Sequence, residues 1–317
     1  MQGQKRVYFY AVSAVVIWST TAALVKSLLS TIPTYEALFL STFAASLFLL
    51  GVQLVRDGGR VFRTYDIRNY AAMVGLGFLG LFLYSGLYYY GLTQLTSQEA
   101  CILNFLWPMM IVLFAALLLG ERITVRTAAA LLLSFSGVVV LTLGGEGSAE
   151  GNGMLGAAAC LLAALCYGLF CVLNKRRNID QTVMMIMAWG TTALCSLPVT
   201  LLTEVWVPLS WTQWLGLLWL GVFIDAVGYL WWAMALQGAR NSAMVANLAY
   251  FVPLLSLVVS AITLGEEMSS AAFLALVLIM GGILLQNVRR GKVRCKTKGG
   301  LLSERPFHRL RGPPPPL

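Results

Sequence analysis

One acidic residue, Asp225, lies in an otherwise apolar and aromatic run, LWLGVFIDAVGYLWW at residues 218–232. An unpaired charge in hydrocarbon costs several kcal/mol, so this carboxylate must be neutralised, paired or exposed to water. As a structural residue it would hydrogen-bond to a neighbour such as Asn247. As a substrate residue it would bind an ammonium group, and as a coupling residue it would carry protons between the two sides of a membrane. Ionisable residues inside membranes are functional by default, which favours the last two roles.

Polar and aromatic residues recur at helical spacing in three apolar runs of the sequence. Residues i, i+3, i+4 and i+7 share one face of a helix, and three such faces can line one cavity. Asparagine amides would then bind a substrate carboxylate and aromatic rings an ammonium group, although the same asparagines could serve only to join helices. The candidate substrate-binding residues are Trp18, Asn104, Trp107, Tyr167, Asp225, Tyr229, Trp232, Asn247 and Tyr250.

Besides Asp225, four residues are candidates for gating or coupling. Lys26 lies near the end of an apolar run, where it either extends to the lipid headgroups or acts in gating or substrate binding. Glu99 begins another apolar run, where its negative charge is stabilised by the helix dipole. This position fits a helix-start charge alone and also a further role in gating or coupling. Pro108 and Pro253 each remove one backbone hydrogen bond, which predicts a bend in each of two helices and a part in two gates.

Membrane helices must position these residues. Of the 317 residues, 59% are hydrophobic and 11% are charged, and the mean hydropathy is +0.79. Apolar runs of roughly 18 to 25 residues recur along the chain, and each can cross a hydrocarbon core of ~30 Å as a helix. The sequence thus predicts an all-α integral membrane protein with ten helices, at 7–28, 35–55, 70–92, 99–119, 126–143, 154–173, 182–203, 213–236, 244–264 and 270–288.

The Lys and Arg residues predict how the helices are oriented. Ten helices place both termini on one side, and all of the 22 Lys and Arg residues except Lys26 fall on that side. The positive-inside rule makes this side cytoplasmic, so the net charge of +9 reflects topology and not nucleic-acid binding. The first run is long enough to remain as a helix, so we expect no signal peptide. The basic, proline-rich tail at 291–317 is predicted to be disordered.

The sequence also repeats itself. PMMIVLFAALLLGE at 108–121 aligns without gaps on PLLSLVVSAITLGE at 253–266, and WSTTAALVK at 18–26 parallels YGLFCVLNK at 167–175. Five helices in each half, an odd number, would insert the second half upside down relative to the first. Inverted repeats are typical of carriers that work by alternating access. The predicted repeats are residues 1–148 and 149–290.

These paired P-x11-G-E segments and the early tryptophan-to-lysine helix resemble the EamA family of the drug/metabolite transporter superfamily. VVIWST at 15–20, EACILNFLWP at 99–108 and YFVPLLS at 250–256 resemble more narrowly the bacterial aromatic amino acid exporters of the YddG type. The resemblance implies an inner-membrane exporter of amino acids or similar small metabolites, with Trp107 in the pocket wall. Asp225 departs from the family pattern, in which that position is usually small or hydroxylic.

An enzyme and a passive channel are the alternative classes. The predicted helices contain no histidine, and the sequence has neither G-x-S-x-G nor H-E-x-x-H. We therefore expect a carrier with no catalytic residue, metal or cofactor. Its expected partners are the lipid bilayer, a small-molecule substrate and, as a candidate coupling ion, the proton. Aromatic or other apolar amino acids are the expected cargo, with other small metabolites or cationic drugs as the alternative. Monomer and homodimer both stay open.

Overall fold

The protein, as a computed structural model, is described over residues 2–119, 125–144, 152–175, 177, 179–238 and 247–287, which form helices and loops without a β-strand. The compact unit that ends at Gln286 contains every described residue except Asn287. The expectation of an all-α membrane protein is confirmed, and the count of ten helices stays a prediction. Within the described ranges seven segments are long and apolar enough to cross a membrane, Lys5–Leu29, Thr34–Asp57, Ile67–Gln94, Ser97–Leu118, Gly153–Asn174, Gln181–Thr203 and Trp211–Trp232, and the shorter apolar helices are Phe251–Leu264 and Ser270–Gly282.

The helices begin and end close to the predicted spans. In chain order they are α1 (Gln2–Ser19), α2 (Thr21–Leu29), α3 (Thr34–Asp57), α4 (Ile67–Gly77), α5 (Leu83–Gln94), α6 (Ser97–Asn104), α7 (Trp107–Leu119), α8 (Val125–Gly144), α9 (Gly153–Lys175), α10 (Gln181–Thr203), α11 (Trp211–Leu218), α12 (Tyr229–Gly238), α13 (Phe251–Leu264) and α14 (Ser270–Asn287). Two π-helical segments, Phe78–Phe82 and Trp219–Gly228, join α4 to α5 and α11 to α12. Short 3₁₀ turns lie at Arg60–Thr64 and Asn247–Tyr250.

The regular helix is interrupted before Pro108, and a 3₁₀ turn leads into the helix that contains Pro253. α6 ends at Asn104 and α7 begins at Trp107, so Pro108 lies in the first turn of α7. The 3₁₀ turn Asn247–Tyr250 precedes α13, whose first turn contains Pro253. Proline has no N–H to donate to the preceding turn, so it is tolerated at a helix start but not in a helix interior. Where the sequence predicts a bend at Pro108, the structure has a local break, and at Pro253 it has a 3₁₀ turn that passes directly into α13.

Short polar motifs set several helix ends. At the start of α6, Thr96 Oγ1 accepts a hydrogen bond from the Glu99 N–H at 3.2 Å, and the Glu99 carboxylate accepts one from the Thr96 N–H at 3.1 Å. Ser210 and Gln213 form the same capping box at the start of α11. α13 ends where Gly265 follows with a φ of 66°, a left-handed conformation that favours glycine.

Helices from the first half of the chain pack against helices from the second half. α3 lies along α10; α4, α5 and their π segment contact α9 and α10, while α11, α12 and their π segment contact α1 and α3. Two glycines permit close approaches to the backbone of a neighbouring helix. A Cβ at Gly77 would lie 2.7 Å from Ala188 Cα in α10, and one at Gly221 would collide with the Ser41 carbonyl oxygen in α3. Side chains at either glycine would force these helices apart.

Large apolar side chains cover the outer surface. Leu132 in α8 is 72% exposed and Leu194 in α10 is 74% exposed. Such surfaces are unfavourable in water but match the hydrocarbon of a bilayer. Trp206 and Trp211 are also exposed, and they lie in or next to the loop before α11, as expected for an interfacial aromatic belt. The exposed surface thus supports membrane insertion.

Candidate substrate-binding site

A cavity of about 80 Å³ lies among the crossing helices, and it is large enough for several water molecules. The helix break before Pro108 and the 3₁₀ turn before Pro253 both adjoin its wall, since Trp107 begins α7 and Val252 lies in the first turn of α13. Aromatic side chains dominate the lining. The described lining residues are Trp18, Thr21, Ala22, Tyr84, Ser85, Tyr88, Tyr89, Cys101, Asn104, Phe105, Trp107, Tyr167, Trp189, Leu220, Ile224, Asp225, Tyr229 and Val252.

The aromatic rings of the lining form a continuous network. The Tyr229 ring contacts Trp18, Trp189 and Tyr167 with centroid separations of 5.2, 5.4 and 6.2 Å. Tyr167 in turn contacts Trp107 at 5.3 Å, with the two ring planes at 86°. Edge-to-face contacts of this kind are favourable beyond their buried area, so the rings hold one another in place. The cavity wall is thereby preorganised.

Several lining residues have a polar atom that is buried without a hydrogen-bond partner among the described residues. They are Trp18 Nε1, Asn104 Oδ1, Trp189 Nε1 and Asp225 Oδ2. The Asn104 amide nitrogen, by contrast, donates to the Tyr84 hydroxyl at 3.1 Å. Buried polar groups in proteins are normally paired, and each unpaired one costs about 1–3 kcal/mol. These two donors and two acceptors are therefore suited to binding a polar ligand or water.

Asp225 lies in the π segment Trp219–Gly228 and is 7% exposed. A regular helix would place Asp225, Tyr229 and Trp232 on one face, as the sequence predicts. In the structure Asp225 and Tyr229 line the cavity, whereas Trp232 packs beside Trp18 at 5.3 Å and is absent from the described lining. The wider π turn changes the angular relation between residues before and after it, which accounts for the difference. π segments occur frequently at functional sites.

The structure brings most of the predicted substrate-binding residues together. Trp18, Asn104, Trp107, Tyr167, Asp225 and Tyr229 all line the cavity. The side chains of Asn247 and Tyr250 lie outside the described residues, and their backbone forms the turn before α13. The predicted hydrogen bond between Asp225 and Asn247 therefore stays a prediction.

Other lining residues were not predicted from the sequence. Trp189 of α10 is 1% exposed and contacts Tyr229. Tyr84 and Tyr88, four residues apart in α5, stack with their ring planes at 11°. Tyr88 and Tyr89 both line the cavity, while the next residue, Tyr90, is exposed. A deep position within an apolar helix was the signal available for Trp189.

A second polar group surrounds Lys26. Its ammonium donates to the Leu92 carbonyl at 2.7 Å and also to the Leu95 carbonyl, and it interacts electrostatically with the Glu99 and Glu266 carboxylates. Lys26 therefore binds at the C-terminal end of α5, where backbone carbonyls favour a cation. Of the two interpretations of Lys26, these contacts favour a role within the protein over extension to lipid headgroups.

Glu266 binds the N-terminal end of α6. Its carboxylate accepts hydrogen bonds from the Ser97 N–H at 2.9 Å, the Ser97 hydroxyl at 2.7 Å and the Gln98 N–H at 3.3 Å. The Gln98 amide donates to the Glu266 carbonyl at 3.0 Å, and the hydroxyls of Ser97 and Ser260 lie 2.7 Å apart. Negative charge is stabilised at a helix N-terminus. We call Lys26, Ser97, Gln98, Glu99, Ser260 and Glu266 the Lys26–Glu266 cluster.

Apolar membrane-crossing helices around a central cavity of aromatic and polar side chains are the architecture of a membrane transport protein. The chain belongs to the EamA-like transporter family, whose sequence model matches residues 5–143 and 154–288. The resemblance predicted from the sequence is therefore confirmed.

Individual relatives agree with this assignment. The chain is 31% identical to the aromatic amino acid exporter YddG of Ancylobacter novellus, over 66% of this chain and 72% of that protein. It is 28% identical to the uncharacterized transporter YvbV of Bacillus subtilis, over 87% and 89% of the two chains. It is also 28% identical to a probable amino-acid metabolite efflux pump of Escherichia coli, over 62% and 74%. A protein of known crystal structure matches with a TM-score of 0.65 and 26% identity, over 88% and 95%.

Proposed function

We propose that the protein is a secondary transporter that exports small metabolites across a bacterial inner membrane, with aromatic or other apolar amino acids as the first candidates. The central cavity carries this proposal, because its aromatic wall includes Asn104 and Asp225, each of which has one buried oxygen without a hydrogen-bond partner among the described residues. The names of two relatives, an aromatic amino acid exporter and a probable amino-acid metabolite efflux pump, support the cargo class. Family membership supports a carrier, not an enzyme.

Alternating access would follow from two inverted five-helix repeats, residues 1–148 and 149–290, with both termini in the cytoplasm. The double match to one family model supports the repeats. The placement of the π segments also supports the repeats, because each π segment lies in the third membrane helix of its proposed repeat. Gly77 and Gly221 lie in these third membrane helices, and each packs closely on the second membrane helix of the other proposed repeat.

Gating is proposed to use the helix break before Pro108 and the 3₁₀ turn before Pro253. A break in the backbone hydrogen bonds lets the two parts of a crossing tilt separately, as discontinuous helices do in transporters. With the proposed topology, the Lys26–Glu266 cluster lies at the outer ends of the helices. Its hydrogen bonds join α2, α5, α6 and the end of α13 there, so the arrangement described corresponds to a state closed to the outside.

A proton gradient is the proposed energy source. Asp225 is buried next to the cavity and would bind a proton and a cargo molecule in turn, so that the two are exchanged across the membrane. The same carboxylate would contact both, which links proton movement to cargo movement.

The proposal is tested by counterflow in proteoliposomes that contain the purified protein. Liposomes preloaded with one unlabelled amino acid are mixed with trace labelled amino acid outside, and a panel covers aromatic, aliphatic and polar side chains. A carrier gives saturable uptake that depends on the preloaded compound. A channel gives neither saturation nor counterflow, and that result would refute the proposal.

Trp107→Ala links this activity to the cavity. Removing a central aromatic contact typically costs 2 kcal/mol or more, so we expect counterflow to fall by roughly 30-fold or more while the protein still folds. The matched control is Trp211→Ala, which removes a tryptophan that is 74% exposed at the start of α11. Equal activity of the two variants would mean that the cavity is not the substrate site.

A further inference from the structure

The charges that line the central cavity do not match a zwitterion. Asp225 contributes a carboxylate, and none of the described lining residues is Lys, Arg or His. Lys26 lies in α2, which contributes to the lining, but its ammonium donates to the carbonyls of Leu92 and Leu95. A free amino acid would therefore bring its own carboxylate into a buried site where the described partners are neutral or carry the same negative charge.

The Asp225 carboxylate itself lacks a partner. Its Oδ2 is buried and accepts no hydrogen bond from a described residue. A buried charge is unfavourable unless it is paired, and a cation in the cavity would complete this pair. A neutral or anionic ligand would leave the Asp225 carboxylate buried without a paired charge. The site is therefore built to discriminate by charge.

Aromatic rings adjoin this carboxylate. Tyr229 follows Asp225 by four residues, and its ring contacts Trp18, Trp189 and Tyr167 at 5.2, 5.4 and 6.2 Å between centroids. Aromatic faces attract organic cations, and groups of such rings form the cages that recognise quaternary ammonium compounds. A carboxylate next to several rings thus favours a cation with an organic body over an inorganic one.

We propose that the preferred cargo is an organic monocation, namely an aromatic or apolar body that carries one amine and no free carboxylate. The amine would bind at Asp225, and the body would pack among Trp18, Tyr167 and Tyr229. This inference rests on the proposed function, because it assigns a substrate class to the same cavity. The names of two relatives support amino acids as the general cargo class, and within that class the charges of the described lining favour the corresponding amines and carboxyl-blocked derivatives over the free amino acids.

Three compounds with one ring system test the inference. Tryptophan is a zwitterion, tryptamine is an amine, and N,N,N-trimethyltryptammonium has a fixed positive charge and does not cross the bilayer unaided. Counterflow of the labelled quaternary compound is measured with the full-length protein in proteoliposomes, and the other two compounds compete. We expect saturable counterflow of the quaternary compound, and we expect tryptamine to compete at least roughly 30-fold better than tryptophan. This factor is the one expected when a buried charge pair is compared with a buried charge that lacks its partner.

Asp225→Asn separates charge recognition from shape. It should weaken binding of the quaternary compound by roughly 30-fold or more and change binding of tryptophan by less than about 3-fold. Asp66→Asn is the matched control, because Asp66 is an exposed helix cap at α4 where asparagine caps equally well. The thermal unfolding of both variants is compared with that of the original protein.

Each outcome has a separate meaning. If tryptophan binds more tightly than the two cations, or if Asp225→Asn leaves the affinity for the quaternary compound unchanged, the monocation inference is overturned. Counterflow of amino acids would in that case still support the proposed function. If no compound, including the wider amino acid panel, shows saturable counterflow, the proposed function itself fails.

Discussion

Replacing Glu266 with glutamine is expected to open the outer side of the transporter. The Glu266 carboxylate accepts hydrogen bonds from the Ser97 N–H, the Ser97 hydroxyl and the Gln98 N–H. These bonds hold Glu266, the second residue after α13, against the start of α6. Glutamine has nearly the same shape and keeps one acceptor oxygen, but it removes the charge and one acceptor. The closed arrangement should therefore lose stability relative to an open one, while the fold is retained.

The size of this effect follows from the bonds that are lost. A hydrogen bond to a charged group contributes about 1.5–3 kcal/mol, and we expect the loss to be equivalent to one such bond. Since 1.4 kcal/mol corresponds to a factor of ten, the equilibrium between closed and open states should shift by about 10- to 150-fold.

A native cysteine provides the assay. Cys101 lines the cavity in α6 and is 7% exposed, so its thiol reports access to the cavity. With the other cysteines replaced, a membrane-impermeant maleimide is added to the outer side of oriented vesicles, and the labelling rate is measured. Glu266→Gln should raise this rate by about 10- to 150-fold. Glu267→Gln is the control, because the neighbouring Glu267 is exposed and should leave the rate unchanged.

Two results would contradict this reasoning. An unchanged labelling rate in a folded Glu266→Gln variant would mean that the Lys26–Glu266 cluster does not hold the closed state. A faster rate with reagent on the cytoplasmic side alone would mean that the cluster lies at the inner end of the helices, and the proposed topology would then be wrong.

Three further perturbations test the packing, the breaks and the coupling residue. Gly77→Ala should destabilise the protein by about 1–3 kcal/mol, because its Cβ would lie 2.7 Å from a backbone atom. Gly75→Ala is the control, since its Cβ meets no atom within 4 Å and should not lower the thermal stability. Equal effects of the two substitutions on thermal unfolding would contradict the packing argument. Pro108→Ala and Pro253→Ala should each shift cysteine accessibility toward one side of the membrane by restoring helix, and unchanged labelling in both would leave the prolines as structural residues only. Asp225→Asn should lose transport driven by a pH gradient while still inserting, so transport at the original rate would show that the carboxylate is not the coupling group.

The sequence by itself determined the class of the protein and the course of its helices. Uninterrupted apolar length is a local property, because a helix must supply every backbone hydrogen bond within itself to cross hydrocarbon. An irregularity of the helix at Pro108 was predictable for the same reason, since a missing N–H acts within one turn. Deep positions in apolar runs also indicated Trp107, Asp225 and Tyr229 as candidates for the cavity lining.

Only the tertiary structure decided which side chains meet. Trp189 reaches the cavity because α10 packs against the π segment Phe78–Phe82 and contacts α12, and a helix's rotation about its axis depends on all its neighbours. The π segment at Asp225 changes the periodicity on which any prediction of helix faces rests. Glu266 and Ser97 are 169 residues apart, and no local pattern relates them. Side-chain contacts between helices arise from packing in three dimensions, whereas membrane insertion and helix breaks arise within single turns of the chain.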